Sequence, residues 1–224
     1  MDRLTPLITP AALAARLHDQ ALRVLDASYY LPTEQRDAEA EFRAAHLPGA
    51  GRFDIEAIRD EADPLPHMVP TPARFAALAG ALGIGPQTLV VVYDQKGLFS
   101  APRAWWMLRL FGHDRVQVLD GGLPRWQAEA YPTEAGSLRP VPAAGFRPAF
   151  RARMLRGLGD MQDNLATGAE LVLDARAAAR FRGEAAEPRP GLAAGHIPGS
   201  RNLPAPELLT EAGTLRPPPA LRAR

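Results

Sequence analysis

The chain has 224 residues, 46% hydrophobic and 23% charged, and its 26 basic and 25 acidic side chains leave a net charge of +1. That balance gives no electrostatic case for nucleic acid or a membrane surface, and no apolar run nears the roughly 18 residues of a spanning helix. Cysteine is absent, which excludes disulfides, thiolate metal sites and thiol nucleophiles within these residues.

At this length the chain can form one large domain or two of ordinary size. The opening "MDRLTPLITP" has no basic stretch ahead of an apolar core, so a secretory signal is not expected and the expected location is cytoplasmic. Thr9 before Pro10 reads as a helix cap with proline in the first turn, and "AALAARL" continues the helix. "LRVLDAS" (Leu22 to Ser28) reads as a strand ending in Asp26. Thr71-Pro72 repeats the helix start, "ARFAALAGAL" fills that helix, and Gly83 suits its C-terminal cap. "TLVVVYD" (Thr88 to Asp94) is continuous and β-branched, as in a parallel strand covered on both faces. A helix then starts with Ser100 as its cap, Pro102 in its first turn and Gly112 past its end, and "RVQVLDGG" gives another strand. Strand, helix, strand in this order implies right-handed crossovers and an open parallel α/β sheet.

From Pro132 to Phe150 the chain is proline-rich and aperiodic, which reads as a linker. The pattern then restarts with "ELVLDARAAARF" (Glu170 to Phe181), a strand leading into a short irregular or helical segment. The two halves repeat one another. Asp26 matches Asp174 at an offset of 148, and His46-Leu47-Pro48-Gly49 matches His196-Ile197-Pro198-Gly199 at an offset of 150. The chain therefore reads as a duplicated α/β domain, with domains at 1–131 and 151–224 and a linker at 132–150. The same offset carries the equivalent of Asp94 to about position 242, beyond Arg224. The expectation is that the second domain is incomplete and that residues after about Phe150 are wholly or partly disordered, sticky or reliant on the first domain.

A buried parallel strand that feeds a short loop and a helix start gathers backbone N–H groups into an anion-binding concavity. A nucleophile at the first loop position would sit in a positive field, but the residue there is Asp94. Its carboxylate would fill the cradle with its own charge, either capping the helix or pairing with Lys96 or Arg103. His46 and His196 stand before Pro-Gly in matching places and read as turn-stabilising. Of Trp105 and Trp106, one is expected in the core and the other at a domain interface. No His, Asp or Glu cluster has metal-ligand spacing, and no glycine-rich nucleotide motif occurs. Neither a metal nor a cofactor is expected.

In combination, "VLDAS", "EFRAAHLPGA", "FDIEAI", "DPLPHMVP", "VVVYDQKGLFSAPRAWWMLRLFG" and "VLDGGLPRW", then "LVLDARAAARFRG" and "EPRPGLAAGHIPGSRNLP", resemble the two-domain rhodanese family, nearest its 3-mercaptopyruvate and thiosulfate sulfurtransferases. The resemblance covers essentially the whole chain. It implies tandem rhodanese-like domains, the first catalytically silent with Asp94 in its loop. It implies a second domain whose loop cysteine becomes a persulfide and passes sulfur from a small anionic donor to a thiol or cyanide acceptor. It also implies that Arg180, in "AARFRG", binds the donor's anion, with Arg189 as a second candidate. The cysteine loop itself is absent, so the chain alone is expected to be inactive. A catalytically dead, partner-binding rhodanese-like module is the alternative.

Overall fold

The computed structural model describes residues 4–189 and 191–223. Two compact units divide it, one holding residues up to 30 together with 36–152, the other holding 31–35 with residues from 153 onward.

The first unit is built on a five-stranded parallel sheet. Its strands are β1 (Leu7–Ile8), β2 (Leu22–Asp26), β3 (Gly51–Arg52), β4 (Leu89–Tyr93) and β5 (Val116–Leu119), in the order β1-β5-β4-β2-β3. β4 lies at the centre, and all five of its side chains are buried. This is the doubly covered strand that the run of valines predicts. Helices α1 (Pro10–Ala14), α2 (Ala38–Ala44), α3 (Pro72–Ala81), α4 (Ala101–Leu110) and α5 (Gly122–Ala128) connect the strands. Two of the predicted caps form as expected: Ala12 N–H donates to Thr9 Oγ1 at 3.2 Å, and Arg74 N–H to Thr71 Oγ1 at 3.3 Å. α1 is shorter than its sequence suggests, stopping at Ala14.

The core tryptophan is Trp126, fully buried, with Nε1–H donating to Pro132 O at 2.7 Å. Trp105 and Trp106, one of which was expected in the core, are both half-buried, with Arg109 stacked over the first and Arg103 over the second. Their positions on α4 alternate with Ala104, Met107 and Leu108, which take the buried face.

The proline-rich stretch after Tyr131 has no helix or extended strand, as its composition implies, yet it is not a free tether. It lies strapped onto the first unit by bonds from Gly136 N–H to Arg43 O, Ala144 N–H to Gly80 O and Ala149 N–H to Phe111 O. Phe146 meets Phe75 edge-on at 5.4 Å, and Phe150 packs on Phe111 at 5.5 Å. Gly80 permits the approach, because a Cβ there would stand 2.5 Å from Ala144 O. The strap is aperiodic because each bond goes to a different distant partner.

His113, just past the end of α4, is buried, and that burial pushes its imidazole pKa below the ordinary value. The unfolded chain then binds the extra proton first. Stability is expected to be full above the ordinary histidine value of about 6.5 and to decline as pH falls below it. Urea unfolding at pH 7.5 and pH 5.5 should show the slope in the native chain and a shallower one in His113→Gln.

The second unit contains α6 (Leu158–Thr167), β6 (Leu173–Asp174), α7 (Ala178–Phe181), β7 (Arg201–Asn202) and α8 (Pro218–Arg222). β6 and β7 form a two-stranded parallel sheet. Among the described residues, none after Trp126 is buried as a whole residue. The elements expected from the sequence are present there, but they enclose no core of the kind that supports the first unit.

The repeat is visible in three dimensions. Leu25 and Asp26 pair with Gly51 and Arg52 in the register in which Leu173 and Asp174 pair with Arg201 and Asn202. In each copy a histidine ring stacks on a phenylalanine, His46 on Phe42 at 4.1 Å and His196 on Phe181 at 3.8 Å. In each, the histidine Nδ1 also bonds that phenylalanine's carbonyl, at 2.8 and 2.7 Å. Matching the two phenylalanines gives an offset of 139. The near-constant offsets on either side therefore conceal a shorter connection before this residue and a longer one after it.

Candidate functional site

The cradle expected at the end of β4 is present, and Asp94 occupies it. The residue is buried, and its carboxylate accepts four backbone N–H groups. Oδ1 takes Lys96 at 2.9 Å, and Oδ2 takes Phe99, Ser100 and Ala101 at 2.9, 2.8 and 2.9 Å. The last three donors lead into α4, ending at its cap residue Ser100 and its first helical residue Ala101, where orphan N–H groups and the helix dipole favour an anion. Ser100 stands at the cap position but makes no capping bond; its Oγ accepts Tyr29 N–H instead, at 3.1 Å. Asp94 is thus the cap that the sequence assigned to Ser100. Lys96 lends its backbone N–H to Asp94, and its ammonium lies 3.8 Å from the centre of the Phe99 ring.

The loop is fixed from below. Gln95 N–H donates to Ser28 Oγ at 2.9 Å, and its amide reaches Asp26 Oδ2 and Ala45 O. Leu123 N–H donates to Asp94 O at 3.0 Å. Gly122, at φ 55°, allows that contact, since a Cβ would come within 2.4 Å of Asp94 O. Burial raises the Asp26 carboxyl above its usual range, against hydrogen bonds from Ser28 that lower it.

A second polar group beside α4 was not singled out by the sequence. His67 Nδ1 lies 3.4 Å from Glu56 Oε1, its ring meets Tyr29 edge-on at 4.8 Å, and Arg103 donates to its carbonyl. His67 adopts φ 59°, a costly conformation for a residue with a side chain. The ten residues between Glu56 and His67 have no helical or strand period that would have paired them.

Arg180 and Arg189 lie in the second unit. Arg180 is not an open anion site: its guanidinium is bonded to both oxygens of Glu187. Arg176 bonds Glu187 Oε1 at 2.9 Å and also holds Asp174 and Gly195 O. Arg180 first, then Arg176, hold the Glu187 carboxyl below its ordinary range. Arg189 is half-buried two residues further on, in the longer connection of the second copy. A depression of about 540 Å³ adjoins this cluster, lined by Asp174, Arg176 and 193–198. In the first copy the counterpart of Arg180 is Glu41, whose carboxylate receives Arg36 at 2.8 Å and the Tyr30 hydroxyl. The first copy therefore places negative charge at both equivalent positions, 94 and 41.

The first unit also holds a groove of about 310 Å³ whose lining includes Arg23, Arg52, Leu138 and Arg139. None of its lining residues belongs to the loop, and Arg52 and Arg139 face Glu39 and Glu134. Among the described residues, no group of His, Asp or Glu could hold a metal ion, and no helix is long and apolar enough to cross a membrane.

A parallel α/β domain with an anion cradle at the end of its central strand, followed by residues that repeat its β2–β3 pairing and its Phe–His stack, defines a duplicated α/β class. The rhodanese-like domain model matches residues 9–129. Human 3-mercaptopyruvate sulfurtransferase is 44% identical over 213 residues, 94% of this chain and 71% of its own. The mitochondrial thiosulfate/3-mercaptopyruvate sulfurtransferase 1 of Arabidopsis thaliana is 41% identical over 239 residues, covering 98% of this chain and 63% of its own. The crystal structure of SseA from Escherichia coli, a 3-mercaptopyruvate sulfotransferase, superposes with a TM-score of 0.88 at 38% identity, over 98% of this chain and 82% of its own. The chain belongs to the rhodanese family, alongside the 3-mercaptopyruvate and thiosulfate sulfurtransferases. It spans 63% of the length of the Arabidopsis relative and 71% of the human one.

Proposed function

We propose that these residues supply the silent domain (1–131) and the anion-binding part (151–224) of a sulfurtransferase of the 3-mercaptopyruvate/thiosulfate type, and that alone they transfer no sulfur. The carrying observation is that Asp94 fills the described loop cradle while the chain has no cysteine. A persulfide is a sulfur–sulfur bond, formed when a thiolate attacks the donor's outer sulfur and the remainder of the donor departs with the electron pair. Serine, aspartate and histidine offer no sulfur to carry.

In this reading Arg180 receives the carboxylate of 3-mercaptopyruvate or the charge of thiosulfate, with Arg189 beside it. Glu187 then holds the guanidinium in place until that anion arrives, as a carboxylate already geometrically matched to the fork. The acceptor is a thiol or cyanide. The expected setting is the cytoplasm; the Arabidopsis relative is mitochondrial by name, and fractionation of the source cells decides between them.

Purified chain given either donor, with a thiol or cyanide acceptor, is expected to form product at the rate of the protein-free control. Turnover above that control would refute the proposal.

A further inference from the structure

The groove on the first unit lies apart from the Asp94 loop, on the β2 and β3 side of the sheet. Arg23 and Leu25 both line it. They alternate along β2 with Leu22 and Val24, which belong to the core around Trp126. On β3, Gly51 keeps the floor open, since a Cβ there would stand 3.2 Å from Leu25 Cδ2. Leu82 contributes from the end of α3, and the strap contributes Leu138 and Val141, which are 45% and 37% exposed. The volume of about 310 Å³ falls at the small end of the roughly 300–1,000 Å³ typical of ligand sites.

The charge of the groove is not balanced. Arg52 is paired with Glu39 at 3.4 Å and Arg139 with Glu134 at 3.1 Å. Arg23 has no carboxylate among the described residues. Its Nη1 donates to Gln20 O at 3.3 Å and Leu22 O at 2.9 Å, and its buried Nε meets no acceptor. The C-terminal turn of α3 offsets part of that charge, yet a part-buried guanidinium with an unbonded N–H is costly and calls for a partner. Three guanidinium groups against two carboxylates leave one positive charge, the complement of a monoanion.

We propose that this groove binds a free alkyl carboxylate of about eight carbons, with the carboxylate on Arg23 and the chain along Leu25, Leu82, Leu138 and Val141. At roughly 30 Å³ per non-hydrogen atom, the share of one water in the liquid, the volume holds on the order of ten such atoms, the size of octanoate. The guanidinium supplies charge-assisted bonds to the head, and the tail covers apolar side chains that the fold leaves in water. The site is separate from the sulfurtransferase reading, because no lining residue belongs to the Asp94 loop or to the second unit.

The test titrates octanoate, below its micellar range, into the 224-residue chain and reads calorimetry and amide shifts. Saturation at one to one is expected, with shifts centred on Gly49, Gly51, Leu82 and Val141. Shortening the acid to hexanoate and then butanoate should lose about threefold to fourfold in affinity per methylene removed. Octan-1-ol and octylammonium, which match the tail but not the charge, should bind roughly tenfold or more weakly than octanoate. Arg23→Gln should weaken octanoate by about tenfold or more, and Arg23→Lys should recover part of the loss. Leu138→Asp alters an exposed rim position, so it should weaken octanoate while leaving the unfolding midpoint in place. A short peptide ending in leucine carries the same carboxylate, but the apolar side chains offer its amides no partners, so it should bind more weakly. Octanoate binding that is absent, or undiminished in both Arg23→Gln and Leu138→Asp, overturns the proposal. So does equal binding of octylammonium, or a shift pattern spread evenly over both units. Equal binding of the peptide would make the occupant a chain terminus and likewise overturn the assignment of a free alkyl acid.

Discussion

Asp94→Ala is expected to destabilise the first unit by about 3–5 kcal/mol, the range for stripping the partner from buried, charge-assisted contacts. The substitution leaves the N–H groups of Lys96, Phe99, Ser100 and Ala101 directed at an empty space, where each loses its acceptor. A domain has only about 5–15 kcal/mol in total, so this one change would consume a large share. Asp94→Asn is the informative companion. An amide oxygen at the Oδ2 position keeps the bonds from Phe99, Ser100 and Ala101, while its NH2 faces the Lys96 N–H, so the loss should be roughly half as large. Denaturant unfolding with an unchanged slope measures both. If Asp94→Ala unfolds at the native midpoint, Asp94 is not what closes the cradle.

The second large effect concerns the phenylalanine–histidine stack that both copies contain. Phe42→Ala removes a fully buried ring and should cost about 3–5 kcal/mol, as large-to-small core changes do. Phe181→Ala removes the same ring from the same motif, yet its site is only half-buried. There the loss should be near the stacking contribution alone, about 1 kcal/mol, and should not shift the main unfolding transition. Equal shifts from the two variants would mean that the second unit has a core comparable with the first.

Much of the first unit could be read from local chemistry. The caps at Thr9 and Thr71, the buried run of β4 and the turns at Gly83 and Gly112 each depend on neighbours within a few residues. The Asp94 cradle was legible for the same reason, since strand, loop and helix start are contiguous. What escaped notice depends on distance along the chain. β1 is two residues long and exists because Leu7 and Ile8 pair with Val118 and Leu119. The strap from Pro132 onward is held by carbonyls at Arg43, Gly80 and Phe111, none of which leaves a local signature. The bonding of Arg180 to Glu187, and the approach of His67 to Glu56, likewise arise from folding rather than spacing.

Glu41 marks a second position at which the two copies carry opposite charge. It stands where the second copy has Arg180, and it is tied to Arg36 and Tyr30. On the proposed reading, exchanging Asp94 for a thiol would change one of these two positions and leave the other, where a carboxylate tied to Arg36 and Tyr30 stands in place of a guanidinium. The two copies would then differ in charge at two positions set by different elements, and matching them would take both changes together.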